Sequence, residues 1–147
     1  MRVFVDGDGC PDLDDIIHIC YLYNVDVVVY IDYAHSILKE HCKIVVCDIG
    51  NDSVDMRIIN DIHKNDILIT QDYGLASHAL VKGVKVLHVS GQIINNDNID
   101  MFLFSRFLSA KERKKNNRVK GPSPRTQEVR EKFLKILEFL LKEESLK

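Results

Sequence analysis

The chain has 147 residues, 46% hydrophobic and 29% charged, which suits one globular domain with its own core and leaves little room for a second. No apolar stretch reaches the roughly 18 to 20 residues of a membrane span, and the amino terminus lacks the basic, apolar and small-residue order of a signal peptide, so a cytoplasmic protein without a membrane partner is expected. The net charge of −2 conceals a division: residues 1–105 carry 7 Lys and Arg against 16 Asp and Glu, a net −9, whereas residues 106–132 carry 10 against 3, a net +7.

Taken in chain order, Met1 to Val5 is an apolar run too short for a helix and reads as a buried strand. Cys10-Pro11 predicts a helix start with proline in the first position and Asp12, Asp14 and Asp15 in the first turn, where acids suit the helix dipole. Ile16, Ile19, Cys20 and Tyr23 form its inward stripe. Val25 to Ile31 and Lys43 to Cys47 are further strands, with a short helix predicted over Ala34 to Glu40 between them. A helix from Asp52 is expected to turn Met56, Ile59 and His63 or Ile62 inward. Ile67 to Thr70 is a strand, Tyr73 to Lys82 a helix closed by Gly83, and Val84 to Val89 the last strand. Strands and helices alternate through short connections, which predicts a mainly parallel sheet with helices on both faces.

The last third is expected to be helical. Met101, Leu103, Phe104, Phe107 and Leu108 within Asp100 to Ser109 predict a stripe docked on the sheet. Lys111 to Pro124, with no apolar periodicity and with Gly121-Pro122, reads as a loop. Val129, Phe133, Ile136, Leu137 and Leu140 lie on one face of a final helix that packs back on the body. The domain is therefore read as 1–147, with an α/β core over 1–105 and a basic segment and closing helix over 106–147.

Acidic side chains gather at predicted strand ends and helix starts. VDGDGCP puts Asp6 and Asp8 at the end of the first strand, DILITQDYGLA puts Asp72 at the end of another, and GNDSVDMRII puts Asp52 and Asp55 on one face of a helix's first turn. In an open parallel sheet, ligands sit beyond the carboxyl ends of the strands. Two carboxylates there repel by about 4 kcal/mol at 4 Å for an effective dielectric near 20, so a cation is needed to offset them. Hard oxygen donors favour Mg²⁺ or Mn²⁺ over zinc. Each acid also has a plainer role, as a helix cap or a partner of the dipole. The basic segment, with Arg106, Arg113, Lys114, Lys115, Arg118, Lys120 and Arg125, suits a phosphate-bearing polymer, against the alternative of a solvated loop.

VDGDGCP, the Asp52/Asp55 pair, ITQDYGLA and the basic stretch ending in Gly121-Pro122 together resemble the uncharacterised bacterial YaiI/YqxD family, which is similar to PIN-like nucleases. The resemblance implies a three-layer α/β/α sandwich with C-terminal helices on the body, and a metal-dependent ribonuclease. By position it implies Asp6, Asp55 and Asp72 as the catalytic, metal-holding acids, with Asp8 and Asp52 in support and Thr70 and Gln71 as nearby polar groups. Two departures stand out: Gly7 and Gly9 occupy positions that are usually alanine, and Ser90 stands where a basic residue is common, which removes one phosphate contact.

The implied mechanism has one or two divalent ions, held by these aspartates, activating water for in-line attack on a phosphodiester while the basic segment grips phosphates without reading sequence. Three alternatives compete. VDGDG resembles the D-x-D-G signature of haloacid dehalogenase-type phosphatases, with Asp6 as nucleophile and Asp8 as general acid, although VVVYID and IVVCDIG supply no convincing Thr/Ser and Lys partners. Cys10 at a helix start is a candidate nucleophile, with a packing or capping role as its competitor. A nucleic-acid-binding module without turnover fits the same acids and bases. Cys10, Cys20, Cys42 and Cys47 have no CxxC spacing and signal neither disulfides nor zinc, and His18, His35, His41, His63, His78 and His88 show no ligand spacing and read as packing or surface residues.

Overall fold

The structure is a computed structural model that describes residues 1–32, 39–48, 53–116 and 125–145, with the side chains of Arg113, Lys115, Asn116 and Ser145 outside that description. Six strands, β1 (Arg2–Asp6), β2 (Asp26–Asp32), β3 (Lys43–Cys47), β4 (Ile67–Thr70), β5 (Lys85–His88) and β6 (Ile93–Ile94), form one sheet in the order β3-β2-β1-β4-β5-β6. The first five are parallel, as their continuous apolar runs require, because a strand covered on both faces cannot alternate with polar residues. The strand β6 runs antiparallel to β5 and corrects the expectation that Val84 to Val89 would be last. Two residues are too few to carry a periodicity signal.

Period-two alternation divides the core. Val3, Val5, Val29, Ile31, Ile67, Ile69 and Leu87 face α1 (Leu13–Leu22) and α5 (Gln127–Ser145), which contributes Phe133, Leu137, Leu140 and Leu141. Phe4, Val28, Tyr30, Leu68 and Val86 face α2 (Ser53–Asp61), α3 (Tyr73–Val81) and the start of α4 (Ile99–Asn116). The molecule is thus an α/β three-layer sandwich whose C-terminal helix closes one face.

Local differences from the sequence reading have local causes. The helix α1 starts at Leu13 rather than beside Pro11, because Gly7–Gly9 first makes a 3₁₀ turn and Asp12 becomes the N-cap. In α2 the inward residues are Val54 and Ile58, with Ile59 half-buried against the same core and Ile62 following, as expected, while Met56 and His63 face solvent. The helix predicted over Ala34 to Glu40 falls mostly outside the described residues. The basic stretch from Lys111 continues α4 as far as Asn116 instead of forming a loop: Lys, Arg and Glu are good helix formers even without an apolar stripe. Finally, among the described apolar side chains of α4, Ile99, Phe102 and Leu103 pack on the body, and Met101, Phe104, Phe107 and Leu108 are exposed.

Candidate functional site

The chain runs outward from β1 through β2 to β3, then returns so that β4 pairs with the other side of β1. The strand order reverses between β1 and β4, and the crevice beyond their carboxyl ends is where such sheets bind ligands. Asp6 ends β1, and Asp72 follows β4 by two residues.

Thr70 ties the two together. Its buried hydroxyl donates to Asp6 Oδ2 at 3.0 Å and accepts the Asp72 backbone N–H at 3.0 Å. One small side chain therefore orients one carboxylate and sets the path of the residue carrying the other. Asp72 caps α3: its Oδ1 accepts the N–H groups of Gly74 at 2.8 Å and Leu75 at 3.2 Å. Burial pushes the Asp6 carboxyl above its ordinary value of 3.8, the Thr70 hydrogen bond works against this, and the charges of Asp72 and then Asp8 raise it further. Neither Asp6 nor Asp72 has an ion-pair partner among the described residues.

Asp8 sits in the 3₁₀ turn, where its Oδ2 accepts the Asp32 backbone N–H at 3.2 Å, so it also joins this turn to the end of β2. Glycine is required just before it. A Cβ on Gly7 would come within 2.8 Å of Val29 Cγ1 and 2.9 Å of Ile31 Cγ2, so the alanine expected from the resemblance would not fit without moving β2. Asp55 lies half-buried in the first turn of α2. Asp52 lies outside the described residues. Among the described residues no group of three or more His, Cys, Asp and Glu side chains is placed to hold a metal ion.

An aromatic stack borders the acids. The Tyr73 ring lies 4.9 Å from His88 and 5.0 Å from Phe102, with interplanar angles of 7° and 2°. The Ser90 N–H donates to His88 Nδ1 at 3.1 Å, fixing that nitrogen as an acceptor, and burial lowers the His88 pKa, so the ring is held neutral. The charge of Arg106, on α4, acts on both Tyr73 and His88. Sequence spacing gave no sign of this stack, whose rings come from three elements and belong to no short motif.

The basic candidates separate. Arg106 and Lys114 are exposed on α4; Arg113 and Lys115 belong to the same helix; Arg118 and Lys120 lie outside the described residues. Arg125 is committed to the body: it ion-pairs with the buried Asp12, donates through Nη2 to the Val89 carbonyl at 2.6 Å, and lies 5.5 Å over the Phe133 ring. The Cys10 thiol is pushed up to about 12 by burial, the opposite of what a nucleophile needs. A cavity of about 910 Å³ opens at the other rim of the sheet, lined by Arg2, Tyr30, Lys43, Arg57 and Asp61, and takes no part in the acidic site.

Residues 4–143 match the family described as "Uncharacterized BCR, YaiI/YqxD family". The chain belongs to that family. It is 44% identical over 146 residues to a UPF0178 protein of Oceanobacillus iheyensis, covering 97% of this chain and 100% of the relative. A UPF0178 protein of Enterococcus faecalis is 43% identical over 145 residues, covering 97% and 98%, and one of Bacillus cereus strain AH187 is 43% identical over 136, covering 90% and 93%. No solved structure matches. None of the helices in the described residues is long and apolar enough to cross a membrane.

Proposed function

We propose that this family member is a divalent-metal-dependent nuclease of PIN-like type that cleaves RNA in the cytoplasm. The reading is carried by one observation: Asp6 and Asp72 are both tied to Thr70 at the switch point of the sheet with no ion-pair partner among the described residues, and Asp6 resists ionisation there partly because of Asp72 and Asp8. Two hard carboxylates suffice for this class of ion, since Mg²⁺ commonly binds through one or two carboxylates and keeps several waters. Asp6 and Asp72 would hold Mg²⁺ or Mn²⁺, with Asp8, Asp55 and Asp52 supporting. When bound, such an ion supplies a Lewis acid and a water of lowered pKa.

The chain's own residues do the rest. Thr70 keeps the Asp6 carboxylate turned toward Asp72, and the α3 cap keeps Asp72 from rotating away. Arg106 and the basic segment hold the polymer through its phosphates, which gives affinity without sequence preference. The neutral His88 and Tyr73 rings close the side of the crevice nearest Arg106.

The test is cleavage of labelled single-stranded RNA with Mn²⁺ by the parent and by Asp72→Asn. Asparagine retains the capping oxygen, so the fold is preserved while the charge is removed. Loss of cleavage in the variant is expected, and equal cleavage by both proteins excludes the mechanism. A second reading, a nucleic-acid-binding module without turnover, is favoured by the commitment of Asp72 Oδ1 to the α3 cap. It predicts RNA binding in chelator, with a steep salt dependence that flattens when Arg113, Lys114 and Lys115 are neutralised together.

A further inference from the structure

The helix α4 turns one arc toward the body and the opposite arc to solvent. Ile99 is buried and Phe102 stacks on Tyr73, whereas Met101, Phe104, Phe107 and Leu108 are 61%, 63%, 60% and 47% exposed. Four large apolar side chains on one helix arc form the kind of contiguous patch that marks an interaction surface. The exposed arc also has an ordered charge pattern. Asp97, in the turn leading into α4, and Asp100 lie at its start, and Lys111 and Lys114 lie toward its end, all exposed.

The spacing identifies the occupant. Within α4, Asp100, Phe107 and Lys114 recur every seven residues, as do Phe104 and Lys111, in the alternating spacing of a helix-pair seam, with Met101 and Leu108 beside them. In an antiparallel helix pair an a position meets a d position of the opposing helix. The register that sets Phe104 against Phe107 of the partner subunit also sets Asp100 against Lys111 of the partner subunit. Every pair then occurs twice about the two-fold axis, giving an apolar centre between two opposite-charge ends.

We propose that this face of α4 is the interface of a homodimer, formed by antiparallel pairing of α4 with α4 of a second copy of the chain. Charge argues against other occupants: a polyanion or an anionic membrane lying along the face would meet Asp97 and Asp100 at one end. Arg106 is on the opposite arc and stays free beside Tyr73 and His88. The dimer does not depend on the nuclease reading.

Sedimentation equilibrium of the full chain tests the proposal, with circular dichroism to verify that each variant keeps its helix content. Phe104→Glu, at a position outside the core, is expected to weaken dimerisation at least about a hundredfold, since each interface loses two central aromatic anchors. Asp100→Lys and Lys111→Asp are each expected to weaken it about tenfold, by turning two attractions into repulsions. The double variant Asp100→Lys/Lys111→Asp is expected to return to within about threefold of the parent, because the pair is restored with its signs exchanged. A parent chain monomeric at about 100 µM overturns the proposal. So does a double variant no tighter than the single ones, or a monomeric parent whose Phe104 face instead binds poly(U) or anionic phospholipid vesicles.

Discussion

The two rims of the sheet carry the same kind of side chain and treat it in opposite ways. At the rim formed by the strands' amino ends, Asp66 is buried and accepts the N–H groups of Arg2 and His63, each at 2.9 Å, with Arg2 Nη2 at 3.3 Å. Asp61 accepts the Tyr30 hydroxyl at 2.6 Å and Arg57 Nε at 3.1 Å, and the Tyr30 hydrogen bond holds its carboxyl below the ordinary 3.8. At the other rim, Asp6 lies between Thr70 and two further carboxylates, and its pKa moves the other way. Burial alone does not make a carboxylate a site. What separates the rims is the charge beside the carboxylates: Arg2 and Arg57 pair with Asp66 and Asp61, whereas neither Asp6 nor Asp72 has an ion-pair partner among the described residues.

Exchanging the same substitution between the rims tests that contrast most severely. Asp72→Asn is expected to reduce RNA cleavage about a thousandfold, as removal of a ligand to an activating ion should. Asp66→Asn is expected to leave turnover per folded molecule within about twofold, because the proposed site lies at the other rim. Single-turnover assays normalised to folded protein decide it, and comparable losses from both variants would erase the distinction between the rims.

The next largest effect is on stability and falls on the paired rim. Asp66→Ala is expected to destabilise the fold by about 3 kcal/mol, because two backbone N–H groups and part of the Arg2 guanidinium lose their acceptor. Urea unfolding monitored by circular dichroism measures this. Tyr30→Phe should cost less, about 1.5 kcal/mol, by removing one hydroxyl donor from a charged acceptor. That cost depends on pH. Because the folded carboxyl of Asp61 titrates below 3.8, its contribution is present above that value and is lost as pH falls through the folded one. The gap between Tyr30→Phe and the parent should therefore narrow in acid.

How far the sequence foretold all this depends on how local the cause was. The strand β3 was legible to its ends, since Lys43 to Cys47 is β-favouring throughout, and the Phe133, Leu137 and Leu140 face of α5 followed from helical spacing. The docked stripe expected of α4 fails because its apolar residues fall on two opposite arcs: Phe102 and Leu103 pack inward while Met101, Phe104 and Phe107 do not. Of the site, the strand-end positions of Asp6 and Asp72 were legible from the runs preceding them. The stack of His88 on Tyr73 was not, because it depends on β5 lying beside β4 in register, with Thr70 opposite His88. Nor could letters alone distinguish Asp66 from Asp72: both accept nearby backbone N–H groups, and their difference lies in Arg2, which only the folded chain brings to Asp66. Likewise Arg125 reads as one more cation of a basic arm until Asp12 and the Val89 carbonyl are seen to hold it.

The smallest predicted effect concerns Asp6, which has no ion-pair partner among the described residues. The folded pKa of Asp6 is raised, so the neutral carboxyl is the form the fold prefers. Its stabilising contribution is complete below the ordinary 3.8 and is lost as pH rises through the folded value; beyond that point the ionised group opposes folding. Asparagine cannot ionise. Asp6→Asn should therefore melt a few degrees above the metal-free parent at neutral pH and converge with it in acid. Mn²⁺ should reverse the order, raising the parent's melting temperature by binding the folded state while leaving the variant nearly unmoved. An Asp6→Asn protein that melts below the parent at neutral pH in chelator would mean that the rim compensates its own charge after all, and the contrast with Asp61 and Asp66 would no longer hold.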